Sequence, residues 1–471
     1  MEDFRENRGN QTGDDTVAQN APQHLNLFDL GRYSVQHHTQ NNLPSILLEA
    51  DEQNVAQASC PASPDYQAYI DAAARNIYDP RRLGDLNALE HKFDCNIHNA
   101  GDVFTYANSG LAVTGDRFNH ALPPSEVRAL QRAMDGGYAG IGLELDSAGG
   151  QGQNSDVATT VVKRPIPGRP AEAAGIIAGD AIVKVDNKDV HNLNSSDIAA
   201  LITNGQAGSQ VDLVVDRNGQ RIERLITRQE IETPVVHDKD LGDGIAYIEV
   251  DNFGSGKTSS ELAAAIDRHD DAKAFVVDIR NNPGGLVDEA LQSAELFVPA
   301  GRLMTTTERL DSDPRAPLYV KKAYDLQNNG LTVGKQLSDG SALNADHYGR
   351  RPYKIAGRPV ALLTNGESAS ASEIFTGALH DTAHDTVIGT TTYGKGIGQN
   401  FVKGMPDGGW LKVTGLHYLT PSGQWPGDAD KNRIGLKADL NVTNPDGAKF
   451  LSPQDRQLNT AVSFLKDSLK K

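Results

Sequence analysis

A chain of 471 residues, 38% of them hydrophobic, carries enough apolar mass for more than one core, so two or three domains are expected. Its 45 basic against 62 acidic residues set a net charge of −17, which argues against nucleic acid or anionic lipid as a partner held by bulk charge. Cys60 and Cys95 are the whole cysteine complement; they exclude a disulfide framework and a Cys-based zinc cluster, and leave one bridge open for an exported protein.

Residues 1–62, rich in Asn, Gln, Asp and His, read as a polar, disordered leader with one short helix at LNLFDL. No basic stretch followed by an apolar run is visible as a secretory signal, and no apolar run is long enough to span a membrane. Over 63–136, YQAYIDAAARNIYD and PSEVRALQRAM repeat apolar residues at three-to-four spacing, which predicts amphipathic helices. From 137 to 229 the texture changes to short β-rich runs with an Asn-Gly turn at 218–219 and helix starts at PAEAAG and SSDIAALITNG, a compact β-rich domain. Residues 230–471 alternate strand and helix, through GIAYIEV, SSELAAAIDRH, AFVVDIR, VDEALQSAELF, VALLTN and ASEIFTGALHD, which predicts a layered α/β domain. The polar segment 311–354 reads as a long loop or insertion within it.

The stretch NGESASASEIF, 365–375, sets Ser368, Ser370 and Ser372 at alternate positions behind an apolar strand. Ser370-Ala-Ser-Glu373 fits the S-x-x-E capping box. On this stretch alone the cap is the preferred reading; the other is chemical, since a serine at a strand-to-helix turn sits where a nucleophile is exposed and the helix N-terminus favours developing negative charge. DIRNNPGG, 278–285, follows the AFVV strand with a tight turn whose amides suit an anion nest. Lys395 follows Ser370 after one helix and one apolar strand, a connection that can return both to one sheet edge, where a buried neutral amine can serve as a base; from spacing alone a surface cation between glycines is the preferred reading. DNFGSGKTSS imitates a phosphate loop, yet Asp251 stands where that loop needs glycine, and a solvated turn is the preferred reading. His380 and His384 lack both the glutamate and the third ligand of a zinc motif, so no metal is expected, and the glycines of YGKGIGQ read as a strand-to-turn element rather than a dinucleotide loop.

These blocks together resemble the carboxy-terminal processing peptidases, or tail-specific proteases, over about 66–468: LPPSEVRALQRAMDGGYAGIG, DIRNNPGG, SASASEIFTGALHD, TYGKGIGQ, HYLTPSGQW and IGLKADLNV occur in order. The resemblance implies an α/β multidomain protein, with a crotonase-like peptidase core, an inserted PDZ domain and an N-terminal helical segment. It implies a Ser-Lys serine endopeptidase that takes protein C-termini and needs no cofactor, with Ser370 as nucleophile, Lys395 as base, Gln399 orienting the lysine and Asp381 at an acidic position associated with activity. The amide of Ala371 and one of Gly284 or Gly285 would hold the oxyanion. In the PDZ domain, Tyr138, Gly140, Ile141 and Gly142 would form the carboxylate-binding loop, with Ile198 and Leu201 on the opposite groove wall and apolar peptide C-termini as guests. The family suggests an extracytoplasmic setting, the 311–354 segment suggests a lid, and the helices at 66–133 leave a homodimer open. An inactive peptide-binding scaffold of the same fold is the alternative.

Overall fold

In the computed structural model, residues 25–27, 60–134, 137–148, 159–191, 193, 195–232, 234–310 and 312–470 are described. The leader expectation therefore lies mostly outside the described residues. Within it, Leu25–Leu27 forms a strand (β1) where a helix was expected. Helix α1 (Pro64–Asn76) starts where Ser63 accepts the Tyr66 amide, and its last turn carries Arg75 against the helix dipole. Helices α2 (Leu86–His91) and α3 (Ala100–Leu111) follow; Asn99 and Asp102 cap α3 reciprocally, and a disulfide joins Cys60 to Cys95. The apolar face of α1, with Tyr66, Tyr69, Ile70 and Ala73, packs with Val103, Ala107 and Leu111 of α3 and with Leu411 and Val413. That face is consumed within the chain, and a homodimer through it draws no support from the packing. Strand β2 (His120–Leu122) and α4 (Pro124–Met134) complete this segment.

The β-rich unit comprises β3 (Gly137–Gly140), β4 (Leu143–Ala148), β5 (Thr159–Pro165), α5 (Pro170–Ala173), β6 (Ala181–Val185), β7 (Lys188–Asp189), α6 (Ser195–Thr203), β8 (Gln210–Arg217), β9 (Gln220–Thr227) and β10 (Gln229–Glu232). Its sheet runs β4-β5-β6-β8-β9, and the β8–β9 hairpin turns at Asn218 and Gly219, both at positive φ as a tight two-residue turn requires. Val162, Ile182, Ile198, Val211, Leu213 and Val215 fill its core. β3 pairs antiparallel with β10, so the unit's two ends leave side by side.

The remaining chain builds two sheets from β11 (Val236–Asp240), β12 (Ile245–Val250), α7 (Thr258–Arg268), β13 (Ala274–Asp278), α8 (Val287–Ala294), β14 (Gly301–Arg309), β15 (Tyr319–Gln327), β16 (Gly330–Leu337), β17 (Ala342–Tyr348), β18 (Val360–Thr364), α9 (Ala371–Ala378), β19 (Thr386–Gly389), β20 (Ile397–Val402), β21 (Trp410–Leu419), β22 (Leu440–Asn441) and α10 (Arg456–Ser468). The first runs β11-β12-β13-β18-β19-β22 and is parallel except at β11. Its central strands β13 and β18 are buried throughout, because both faces of the sheet are covered there. Phe275, Val277 and Leu362 face a core shared with α7, α8 and α9; Tyr247, Val276 and Leu363 face Leu458, Ala461 and Leu465 of α10. The second sheet runs β1-β20-β21-β14-β15-β16-β17, with β2 added on β21. The polar segment expected to be a loop or lid is instead this sheet's antiparallel meander, β15 to β17, turning at Asn328-Asn329 and across Asp339-Gly340. Alternating half-exposed residues suffice for a strand paired on both sides, so composition alone misread it.

The GSGKT stretch is the turn into α7, and the amide of Ser259 in its first turn is already given to the buried carboxylate of Glu289 at 2.7 Å. At the end of β13, Arg280 forks onto Asp278 and Asp455, its Nη1 lying 2.8 Å from Asp455 Oδ1 and its guanidinium 3.7 Å over the Phe450 ring, with every partner carboxylate buried. This clamp ties the strand end to the start of α10, which Asp455 caps. Arg280→Met leaves two carboxylates buried without their cation and is expected to cost roughly 3–5 kcal/mol. Thermal and urea unfolding check this, and unchanged midpoints would show that the clamp is not what holds the strand end.

Candidate active site

The three alternate serines have three different surroundings, all buried. Ser368 Oγ donates to Ile279 O at 2.8 Å and accepts the Asn365 amide at 3.0 Å. Ser372 Oγ lies 3.0 Å from Asn282 O and 2.8 Å from its Oδ1. Both flanking serines thus fasten the serine segment onto the 279–285 turn. Between them Ser370 sits at φ 61°, ψ −117°, a left-handed backbone that costs a non-glycine residue on the order of 1–3 kcal/mol. Its Oγ has no hydrogen-bond partner among the described residues. The glutamate half of the capping box is made, with the Ser370 amide donating to Glu373 Oε2 at 2.9 Å, while the serine hydroxyl stays out of it.

Glu373 reaches further than a cap. Its Oε2 also accepts the Lys395 amide at 2.8 Å, and its Oε1 accepts the Gly394 amide at 2.8 Å and the Thr392 hydroxyl at 2.6 Å. Complete burial pushes its carboxyl up, and the four donated hydrogen bonds pull the other way. The Tyr418 hydroxyl closes the same gap from the opposite side, 3.1 Å from Ser370 O and 2.8 Å from Lys395 O. Burial, and then the Glu373 charge, raise that hydroxyl well above its ordinary range, so it remains a donor. One carboxylate oxygen and one phenol therefore bind the backbones of Ser370 and Lys395 together.

Lys395 is 3% exposed, and its Nζ lies 4.3 Å over the ring of Phe118. The flanking glycines are required by close approach: a Cβ at Gly394 would meet Ile434 N at 2.9 Å, and one at Gly396 would meet the Trp425 ring at 2.7 Å. Gln399, fully buried on β20, donates Nε2 to Thr414 Oγ1 at 3.1 Å, and its Oε1 has no partner among the described residues.

The turn at 279–285 faces the serine. A Cβ at Gly284 would lie 2.8 Å from Ala371 N and 2.9 Å from Ser370 Cβ, so glycine leaves the Ala371 amide uncovered. The Gly284 amide is spent on Asn282 Oδ1 at 2.9 Å, which leaves Gly285 as the glycine whose amide can serve an oxyanion. Gly285 is itself held by the loop before α7, where a Cβ would fall 2.1 Å from Phe253 C.

Residues 244–442 match Peptidase family S41 and residues 161–217 match a PDZ domain. The chain is 30% identical over 364 residues to a carboxyl-terminal-processing protease of Picosynechococcus sp., an alignment that covers 75% of this chain and 77% of that protein. It is 29% identical over 338 residues to the carboxy-terminal processing protease CtpA of Bacillus subtilis, covering 71% and 62%. Among solved structures, a photosystem II D1 C-terminal processing protease is similar at 26% identity and a TM-score of 0.44, covering 81% and 94%. The chain belongs to the carboxyl-terminal-processing proteases of Peptidase family S41.

Within this peptidase not every expected residue joins the cluster. Asp381 sits in a π-helical turn beyond α9, bonded to His380 Nδ1 at 2.7 Å and to the Ser422 amide at 2.9 Å, and none of its hydrogen bonds reaches Ser370 or Lys395. His380 also meets Asp439, and no group of three metal-ligating side chains occurs among the described residues. In the PDZ domain, Tyr138 and Gly140 pair in β3 with Ile231 and Gln229, and the carbonyls of Ile141 and Gly142 accept the Ala171 and Ile166 amides. Ile198, expected on the groove wall, is 1% exposed inside the core, because helical spacing marks a buried face without saying what covers it; Leu201 is half-buried. The sequence reading passed over Phe118 and Tyr418 and saw in Glu373 only a local cap. Gly284→Ala would press a Cβ onto Ala369 O at 2.5 Å and onto Ala371 N at 2.8 Å, so it should shift the turn, cover the Ala371 amide and lower turnover by about two to three orders of magnitude. Steady-state proteolysis alongside circular dichroism checks it; a variant with normal turnover would remove Gly284 from the site.

Proposed function

We propose that this peptidase captures protein C-termini in its PDZ domain and cleaves upstream of them by a Ser-Lys mechanism on a crotonase-like core. The observation that carries the reading is the single oxygen, Glu373 Oε2, on which the amides of Ser370 and Lys395 converge. Ser370 Oγ attacks the scissile carbonyl carbon and its proton passes to the neutral amine of Lys395. The amides of Ala371 and Gly285 receive the oxyanion, at a helix N-terminus whose dipole favours it. The lysine then protonates the leaving amine, and water, deprotonated by the same lysine, hydrolyses the acyl-serine. The buried Oε1 of Gln399 orients the lysine by accepting one of its N–H groups. Asp381 acts at a distance, by holding the Thr420–Ser422 corner that follows Tyr418.

Peptide capture follows from the position of β4 at the outer end of its sheet order, where a guest strand can add. The left-handed Gly142 ends the loop before it; a Cβ there would fall 2.4 Å from Arg169 Cβ. The Cys60–Cys95 bridge fits an extracytoplasmic setting, since structural disulfides persist in oxidising compartments. No helix among the described residues is long and apolar enough to cross a membrane.

Purified protein incubated with an unstructured substrate ending in apolar residues should cleave it faster than the same substrate ending in charged ones. Ser370→Ala and Lys395→Ala should each abolish cleavage while retaining binding. Proteolysis that survives Lys395→Ala would sink the dyad, and equal rates on both tails would sink PDZ selection.

A further inference from the structure

We infer that Phe118 is a positioning residue for the general base: its ring is a seat for Lys395 Nζ that sets how readily the lysine sheds its proton and engages. The inference rests on the Ser-Lys reading above. The three side chains that must meet for catalysis are all buried, and Glu373 Oε2 holds the backbones of two of them, Ser370 and Lys395. Ser370 Oγ and Gln399 Oε1 have no hydrogen-bond partner among the described residues, and Lys395 Nζ lies 4.3 Å over the Phe118 ring. A cation over an aromatic face is attracted by the ring quadrupole, more strongly where water is excluded, so the ring favours the ammonium form and this rotamer. The amine must lose its proton before it can act as a base toward Ser370.

The ring is well held. Phe118 is 6% exposed and packs with Ile397, Ala429, Tyr393 and Trp425. Its amide donates to Asp116 Oδ1 at 2.9 Å. Arg117, beside it, donates to Tyr393 Oη and Ala429 O. The ring also borders a cavity of about 550 Å³ shared with Tyr78, His417 and Trp425, so it is not packed on every side. The seat comes from the segment between α3 and β2, outside the stretch that matches the peptidase family.

Other charged groups approach the same place. Asp116 and Arg117 come from the turn of Phe118 itself, Arg117 Cζ lying 4.9 Å from the ring. Glu373 comes from α9, His417 and Tyr418 from β21, and Asp428 and Arg433 from the closing segment, where Asp428 bridges to Lys395 through the backbone. All of them persist when only the ring is changed, so a shift on changing Phe118 reports the ring.

The test is the pH–rate profile for an unstructured substrate, read on the full chain and on Phe118→Leu and Phe118→Trp. Leucine keeps an apolar side chain and removes the aromatic face. The acidic limb, where the lysine must shed its proton, should move down by about half to one pH unit. Below the limb's midpoint, turnover and labelling of Ser370 by a covalent serine-directed probe should rise about three- to tenfold. Tryptophan, the stronger cation acceptor, should move the limb the other way. A folded leucine variant with an unmoved limb, or with slower labelling, overturns the assignment; should leucine fail to fold, the tryptophan limb decides by moving up or not. Ser370→Ala and Lys395→Ala are run in parallel: if either still cleaves, the dyad itself fails, whatever Phe118 does.

Discussion

The site depends on burying one carboxylate completely. Glu373 has no exposure, and burial alone would drive it to the neutral form. What keeps it useful is that each of its oxygens accepts two donors, three of the four being backbone amides. Backbone donors cannot rotate away, so the carboxylate fixes the spacing of Ser370 and Lys395 without touching either side chain. The helix start supplies the rest: Glu373 lies in the first turn of α9, where a negative charge meets the positive end of the helix dipole. The left-handed backbone at Ser370 is tolerated for the same reason, since the amide it turns inward is the one Glu373 accepts.

A second constraint is that the two halves of the site stand on different sheets. The serine and the 279–285 turn lie at the ends of β18 and β13, neighbouring strands in parallel register. The lysine lies before β20 in the antiparallel sheet. Ser368 and Ser372 close the first pair onto each other, and Arg280 pins its far side to α10. Glu373 and Tyr418 then join the sheets. The order of strength follows: charged and backbone hydrogen bonds in a dry interior are each worth more than surface ion pairs of the kind seen at Arg75–Asp71.

Legibility in the sequence followed the range of each interaction. AFVV and VALL read as strands because burial on both faces erases alternation, and the hairpin at 218–219 read from its Asn-Gly pair. The serine block was legible as a turn into a helix. The role of Glu373 was only half legible, since the contact with Ser370 spans three residues and is a known local motif, whereas those with Gly394 and Lys395 depend on the return of a whole helix and strand. Phe118 stands alone in TGDRFNH and carries no period to read. The meander at 319–348 failed for a different reason: its polar faces look like loop, although Asn329-Gly330 and Asp339-Gly340 are turn pairs between its strands. Asp381 was carried by resemblance of position, and its neighbours are His380 and Ser422 rather than the reacting groups.

The inserted domain and the oxyanion turn are also physically continuous. The PDZ domain leaves the core between α4 and β11, and the Met134 carbonyl at the end of α4 accepts the Gly256 amide at 3.0 Å. Gly256 belongs to the loop whose Phe253 backbone exchanges hydrogen bonds with the oxyanion turn, donating to Gly284 O and accepting from Leu286 N, and presses on Gly285 too closely for any Cβ. Leu286, next in the chain, packs with Leu130 and Met134 of α4. That close contact explains why glycine is needed at 285: a side chain would separate the turn from Phe253 and shift it against the serine segment.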